Sequence, residues 1–202
     1  MIVLLVNTSI DPVTGGGTAT RTVQLARSIQ KDFKVKCIIL STDQGLDETS
    51  KQQYSDLKTV ILPCLNDRFY IPYFSWAKLK ELVEKIDVIH LMSHWTIINA
   101  IVYLLARQLD KPYTFCPAGS LHIFGRSALL KNIYNLFIGK SLIKNASQCI
   151  AITNLEKKDF LDFNVQEELI SVIPNGIDGN EFCPNLEASN AFKNRFGLQR
   201  VP

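Results

Sequence analysis

Short apolar runs alternate with longer amphipathic stretches along most of this 202-residue chain. The runs are mostly continuous, which is typical of strands buried on both faces of a parallel sheet. The stretches between them repeat apolar residues at helical spacing. Strand candidates are residues 2–7, 34–41, 58–63, 87–92, 112–116, 147–153 and 169–174, and helix candidates include 18–33, 74–86, 97–109 and 129–144. The alternation predicts right-handed βαβ units and an α/β fold with a doubly wound, Rossmann-like parallel sheet.

The ligand site of a doubly wound sheet lies outside the carboxyl ends of its strands, where the strand order reverses. The residues that follow each predicted strand are therefore the candidates for binding or catalysis. These residues are 7–18, 93–96, 117–126, 153–156 and 175–178.

Gly15, Gly16 and Gly17 stand between the first predicted strand and the first predicted helix. Their segment, TGGGTATR, has neither the G-x-G-x-x-G spacing of a dinucleotide fingerprint nor the spacing of a P-loop. Lys34 and Lys36 also stand where a dinucleotide site needs an acidic residue. A glycine loop that opens a helix presents free backbone N–H groups, which suit a phosphate or another oxyanion. A plain tight turn is the alternative.

Two histidines, His90 and His94, are four residues apart, as in metal sites on helices. His90 lies inside a predicted strand, however, where four residues span roughly 13 Å. We therefore expect no metal site and a packed His90. His94 follows the end of the strand and is a candidate to contact a ligand.

The segment PAGSLHIFGRS, residues 117–127, follows the fifth predicted strand. Ser120 and His122 supply hydrogen-bonding groups, and Arg126 brings positive charge to the start of a helix. An ordinary surface loop is the alternative. No G-x-S-x-G motif surrounds Ser120 and no acidic partner lies nearby, so a hydrolase triad is not supported.

Charge and cysteine content bear on partners and location. The net charge of +3 is too small to argue for nucleic acid, but residues 111–155 hold five basic residues and no acidic one. The five are Lys111, Arg126, Lys131, Lys140 and Lys144. Such a basic stretch suits phosphates or an anionic membrane face. Five widely spaced cysteines without a C-x-x-C pair indicate a reducing compartment, so we expect a cytoplasmic protein, peripheral to the inner face of the cell membrane.

Five segments, taken in order, resemble the N-terminal domain of retaining glycosyltransferases of the GT-B fold, family 4 type. They are the glycine loop leading into VQLARSI, then DVIHLMSHW, PAGSLHIFGRS, KNASQCIAITNLEKKDF and VIPNGIDGNEF. The resemblance spans essentially the whole chain. It implies that the sheet is the N-terminal half of a two-domain GT-B fold.

The resemblance also implies an activity and a set of site residues. The reaction is transfer of a hexose from a nucleotide diphosphate sugar to a hydroxyl of a glycan or lipid-linked acceptor, with retention, no cofactor, and a place in polysaccharide biosynthesis. The three glycines would meet the donor diphosphate, and His94 is the candidate catalytic residue. The acceptor side would be formed by Ser120, His122, Arg126 and Asn175.

Two departures from the family pattern bear on these implications. Ala118-Gly119 stands where many relatives have a His-Gly pair, which leaves His94 or His122 as substitutes, or a subfamily that works without that histidine. The C-terminal signatures of the family, a lysine-bearing strand and paired glutamates, are absent. We therefore expect residues 1–184 to form the acceptor-side domain and residues 185–202 a helical tail. That tail would lead to a C-terminal domain outside this chain, and the chain alone would be inactive.

Two other functions stay open at this point. A nucleotide-sugar epimerase of GT-B type shares the two-domain plan, although PNGID and the glycine loop leading into LARSI favour a transferase. A non-catalytic α/β binding module is the second alternative.

Overall fold

A seven-stranded parallel sheet organises the fold. The computed structural model describes residues 1–47, 52–66, 68–123, 127–177, 179 and 185–198. Its strands are β1 (Ile2–Val6), β2 (Lys36–Thr42), β3 (Lys58–Leu62), β4 (Cys64–Asn66), β5 (Ile71–Pro72), β6 (Val88–Met92), β7 (Tyr113–Cys116), β8 (Gln148–Ala151) and β9 (Ile170–Val172). The main sheet has the order β3-β2-β1-β6-β7-β8-β9 with every pairing parallel, whereas β4 and β5 form a separate antiparallel pair.

Helices connect most of these strands. They are α1 (Gly16–Phe33), α2 (Trp76–Glu84), α3 (Ile97–Gln108), α4 (Ala128–Tyr134), a π-helical segment (Asn135–Gly139), α5 (Lys140–Lys144), α6 (Asn154–Asp162), a 3-10 turn (Glu167–Leu169) and α7 (Leu186–Arg195). Among the described residues, no helix is both long and apolar enough to cross a membrane.

The side chains of β1 alternate between two hydrophobic cores, one on each face of the sheet. Leu4 and Val6 belong to the core that is covered by α2, α3, α5 and α6. Val3 and Leu5 belong to the core on the opposite face, which α1 covers. Burial on both faces is the reason that the strand is continuously apolar. The two covered faces confirm the predicted doubly wound α/β fold.

The order of the strands reverses between β1 and β6. From β1 the chain moves outward through β2 to β3, and it then returns to β6 and moves outward in the other direction to β9. Connections on the two sides therefore diverge above the carboxyl ends of β1 and β6, which leaves a crevice there. The loops that begin at Asn7 and at Ser93 border this crevice.

Two local features differ from the expected pattern. The β4–β5 pair was not predicted, since its strands are only three and two residues long. The predicted helix over residues 129–144 is present but is interrupted by the π-helical segment. Asn135 and Gly139, at the two ends of that segment, are buried, and a Cβ on Gly139 would collide with the Asn135 side chain.

Candidate functional site

The three glycines of the β1–α1 loop occupy three different environments. A Cβ on Gly15 would lie 2.5 Å from the Ser9 carbonyl oxygen and 2.7 Å from Ala19 Cβ, so a larger residue does not fit there. Gly16 has a φ of +56°, in the left-handed region that favours glycine. A Cβ on Gly17 would meet no described atom within 4 Å. The space beside Gly17 is therefore open to a ligand.

Helix α1 begins at these glycines without a hydrogen bond from a capping side chain. Gly15 is the N-cap residue and has no side chain, and the first turn contains no acidic residue. The positive end of the helix dipole is thus left uncompensated by the helix itself. The loop before it is fixed, because the Thr14 N–H donates to Asp11 Oδ2 at 2.6 Å and the Tyr54 hydroxyl donates to the Ile10 carbonyl at 2.8 Å. A fixed loop with unused N–H donors is suited to bind an anion.

His94 lies beneath the carboxyl edge of the sheet, with only 4% of its surface exposed. Its Nε2 donates to Asn135 Oδ1 at 2.8 Å, and Trp95 Nε1 donates to the same oxygen at 3.1 Å. Phe115 and Tyr134 pack edge-on against the imidazole. Burial lowers the pKa of His94 to about 4, against the opposing effect of the Asn135 bond, so the ring is neutral at pH 7. The ring joins the β6 loop to the π-helical segment, and its predicted catalytic role stays a prediction.

His90 is packed within β6, as predicted. Its ring is 5% exposed, and its Nδ1 lies 2.7 Å from Thr114 Oγ1 on the neighbouring strand. Burial lowers its pKa to about 4. Within the described part of the chain, no group of three or more His, Cys, Asp or Glu side chains is arranged to hold a metal ion.

Left-handed backbone is concentrated at the ends of β6 and β7. Three of the eight described non-glycine residues with positive φ lie there, namely Ser93, Trp95 and Ala118, with φ of +70°, +51° and +51°. Gly119 follows with +84°. Such conformations cost about 1 kcal/mol or more each and often mark functional segments. They support the prediction that these two loops border the site.

The β7 loop brings Ser120 against the β6 loop. The backbone N–H of His94 donates to Ser120 Oγ at 2.9 Å, and the Ser120 hydroxyl donates to the Pro117 carbonyl at 2.5 Å. His122 is largely exposed, with its Nε2 2.7 Å from Asp159 Oδ1 on α6. The structure therefore brings His94 and Ser120 together, whereas His122 faces solvent beside α6.

Glu156 lies in the candidate segment 153–156, but the sequence does not reveal its contact with the β7 loop. Thr153 is the N-cap of α6 and accepts from the Glu156 N–H at 3.2 Å. The buried Glu156 carboxylate does not turn back to Thr153, as it would in a capping box. It accepts instead from the backbone N–H groups of Ile152, at 2.7 Å, and of Gly119. This carboxylate fixes the left-handed turn of the β7 loop against the end of β8.

Arg21 is a second residue that sequence reasoning missed. It projects from the second turn of α1, and its guanidinium donates to the Asn175 side-chain oxygen and to the Ile173 carbonyl, the latter at 3.4 Å. The segment after β9 is thereby bonded to the helix that carries the glycine loop. Arg126, a predicted acceptor-side residue, lies outside the described residues.

The sequence model of Glycosyltransferase Family 4 matches residues 15–181. This match covers most of the chain and runs from the glycine loop past the end of β9. The chain therefore belongs to glycosyltransferase family 4 and has the fold of the N-terminal half of a GT-B protein. No curated protein matches the chain at a significant level of sequence similarity.

Solved structures with the same fold include transferases and epimerases. HepE of Anabaena, in complex with UDP-glucose, is 17% identical, with a TM-score of 0.68 over 98% of this chain and 50% of its own. A glycosyltransferase from Rickettsia africae is 17% identical, with a TM-score of 0.63 over 100% of this chain and 51% of its own. UDP-GlcNAc 2-epimerase from Neisseria meningitidis, bound to UDP-GlcNAc, is 14% identical, with a TM-score of 0.59 over 99% of this chain and 55% of its own. The chain spans about half the length of these proteins.

Replacing Gly15 by alanine should destabilise the fold, whereas the same change at Gly17 should not. The Cβ at position 15 collides with the Ser9 carbonyl, and such overpacking costs about 1–3 kcal/mol. Gly17→Ala has room and gains helix propensity, so its free energy of unfolding should equal or exceed that of the wild type. Urea unfolding measures the free energy of unfolding of each variant. Equal stabilities for Gly15→Ala and Gly17→Ala would contradict the packing described for Gly15.

Glu156→Gln should lower the free energy of unfolding by about 2–4 kcal/mol, because two backbone N–H groups lose a charged acceptor. Amide exchange at Gly119 should accelerate in the same variant. Urea unfolding and hydrogen exchange measure the two effects, and Glu168→Gln at an exposed position serves as the control. If the exchange protection of the Gly119 N–H is unchanged in Glu156→Gln, the Glu156 carboxylate does not hold this turn.

Acidification from pH 7 to pH 5 should lower the free energy of unfolding. An unfolded histidine binds a proton near pH 6.5, whereas the folded pKa values of His90 and His94 are about 4, so the unfolded state binds more protons in this window. Each histidine then contributes a slope of up to about 1.4 kcal/mol per pH unit. Urea unfolding at several pH values should give about half the wild-type slope for His94→Gln. Identical slopes in His94→Gln and wild type would contradict burial of a neutral ring.

Proposed function

We propose that this chain is the acceptor-side half of a retaining glycosyltransferase. The reaction is transfer of a hexose from a nucleotide diphosphate sugar to a hydroxyl of a glycan or glycolipid. The observation that carries the proposal is the uncapped start of α1, with open space beside Gly17, in a chain of glycosyltransferase family 4. Developing negative charge on a departing diphosphate is stabilised by donors that are already in place.

In the proposed donor site, the backbone around Gly15, Gly16 and Gly17 contacts the diphosphate. Gly15 allows the loop to pack closely, Gly16 supplies the turn, and Gly17 leaves room for the phosphate oxygens. The binding of UDP-glucose by HepE, a protein with the same fold, supports a nucleotide sugar as donor. The proposal requires no cofactor besides this donor.

The proposed acceptor side lies at the ends of β7 and β9. Ser120 and His122 lie in the loop after β7, Arg126 follows them in sequence, and Asn175 stands after β9. His94, buried beneath Ser120, is assigned a positioning part in this proposal, because its backbone N–H holds the Ser120 hydroxyl. A direct catalytic part for His94 requires the loops above it to open.

A second, nucleotide-binding domain completes the proposed enzyme. Residues 1–184 are the acceptor-side domain, and residues 185–202 connect it to that second domain. With only one side of the cleft, the chain alone binds donor weakly and transfers no sugar. We assign the reaction to the cytoplasm and to polysaccharide biosynthesis, with peripheral contact to the anionic inner face of the cell membrane.

An epimerase acting on a nucleotide sugar is the second candidate function. It is favoured by the likeness to UDP-GlcNAc 2-epimerases, which have the same fold over nearly all of this chain. The two candidates share the donor site and differ in the product. The complete enzyme incubated with UDP-sugar alone yields a new UDP-sugar if it is an epimerase, and requires an acceptor if it is a transferase.

The donor site is tested by titrating the isotope-labelled chain with UDP-glucose and with inorganic pyrophosphate. At millimolar ligand, the backbone N–H resonances of Gly16, Gly17 and Thr18 should shift most. Gly17→Ala should weaken binding about tenfold, equivalent to about 1.4 kcal/mol, without loss of stability. Thr20→Ala, one turn further along α1, is the matched control. In a product assay, the chain alone should transfer no sugar.

Three results would contradict the proposal. The first is a set of shifted resonances that excludes residues 15–18, which would remove the glycine loop from the donor site. The second is robust sugar transfer by the chain alone, which would remove the need for a second domain. Failure of both ligands to shift any resonance at millimolar concentration would also contradict the proposed donor site.

A further inference from the structure

The outward face of α4 and the π-helical segment carries an exposed apolar surface. Its side chains are between 42% and 76% exposed, although they are among the largest apolar types. They are Leu129, Leu130, Ile133, Leu136 and Phe137, here named the Leu129–Phe137 surface. Single exposed apolar residues are ordinary, but five within nine positions form a patch of the kind that marks an interaction site.

Packing of the domain does not account for this surface. The same helical region already buries its other side, through Asn135 and Gly139 in the π-helical segment and through Leu142 and Ile143 in α5. Tyr134 is also turned inward, where its hydroxyl donates to the Thr96 carbonyl at 3.2 Å. The region thus has two apolar sides, of which one is buried in the domain and the other is exposed.

The charged residues along the helical region that carries the Leu129–Phe137 surface are all positive. Residues 111–155 hold no acidic residue, and three lysines stand on this helical region, at positions 131, 140 and 144. Lys131 Nζ lies 4.3 Å from the centre of the Trp95 ring, and Lys140 and Lys144 are exposed. An apolar side with lysines around it is the pattern of helices that lie in the interface of anionic membranes.

We propose that the Leu129–Phe137 surface docks on an anionic lipid bilayer. Leu129, Leu136 and Phe137 enter the boundary between headgroups and acyl chains, while Lys140 and Lys144 contact lipid phosphates. The proposal rests on the proposed function in that it names the surface for the membrane contact assigned there. Docking itself involves neither donor nor acceptor.

Lipid fits this surface better than a protein partner does. Protein interfaces are depleted in lysine relative to the rest of the protein surface. Here lysine is the only charged residue type on residues 128–144. The position of the surface agrees with the assignment, since α4 follows the loop that carries Ser120 and His122. Docking would bring the proposed acceptor side close to the headgroups.

Vesicle sedimentation tests the proposal with the chain as it is. The wild type should bind vesicles of phosphatidylcholine with phosphatidylglycerol and should not bind phosphatidylcholine alone. The double variant Lys140→Gln/Lys144→Gln should lower the partition coefficient about thirtyfold, since each lysine near an anionic surface contributes a factor of about five. Leu136→Ser/Phe137→Ser should lower it at least as much, because it removes two large inserted side chains.

Matched controls are Phe33→Ser and Lys78→Glu, which change an exposed aromatic and an exposed lysine on other helices. Both should bind like the wild type, and thermal unfolding should find all variants folded. Absence of wild-type binding, or equal binding by wild type and both double variants, would overturn the proposal. So would self-association without lipid that Leu136→Ser/Phe137→Ser abolishes, which would assign the surface to a second copy. The assay contains no nucleotide sugar, so each of these results leaves the donor-site titration unaffected.

Discussion

Parallel pairing of β1 with both β2 and β6 is the constraint on which the rest of the structure depends. Leu4 on β1 pairs with Ile38 on one side and with Ile89 on the other. Because all strands run the same way, every strand ends at the same edge, and every following loop starts there. Residues far apart in sequence, such as Gly15 and Ser120, are thereby brought to one edge of the sheet. The location of the site at this edge therefore follows from the common direction of the strands and does not depend on any single loop.

Side-chain to backbone hydrogen bonds then fix the loops at that edge. The Glu156 carboxylate holds the turn at Gly119, and the Tyr54 hydroxyl holds the carbonyl of Ile10 in the β1 loop. Ser120 is held by the backbone N–H of His94. Each bond joins a loop to a neighbouring element and reduces the freedom of the loop before any ligand arrives. Preorganisation of this kind lowers the entropy that binding has to overcome.

The sequence predicted the sheet well because burial on both faces leaves a continuous apolar run at each strand. It also identified the glycine loop, but it could not show that the three glycines have different environments. The Ser9 carbonyl that excludes a Cβ at Gly15 comes close to it only in the folded chain. His94 was expected to contact a ligand because it follows a strand end. Its bond to Asn135, 41 residues away, could not be predicted from local pattern.

Contacts between distant segments were missed for the same reason. Glu156 fits a helix cap in sequence, and its partner Gly119 is 37 residues away. The π-helical segment escaped prediction because the helical spacing of residues 129–144 continues through it. The bond between Arg21 and Asn175 joins residues 154 positions apart. This bond ties the segment that follows β9 to α1. The course of the chain from Ile173 to Asn175 is thus set jointly by the last strand and by the first helix.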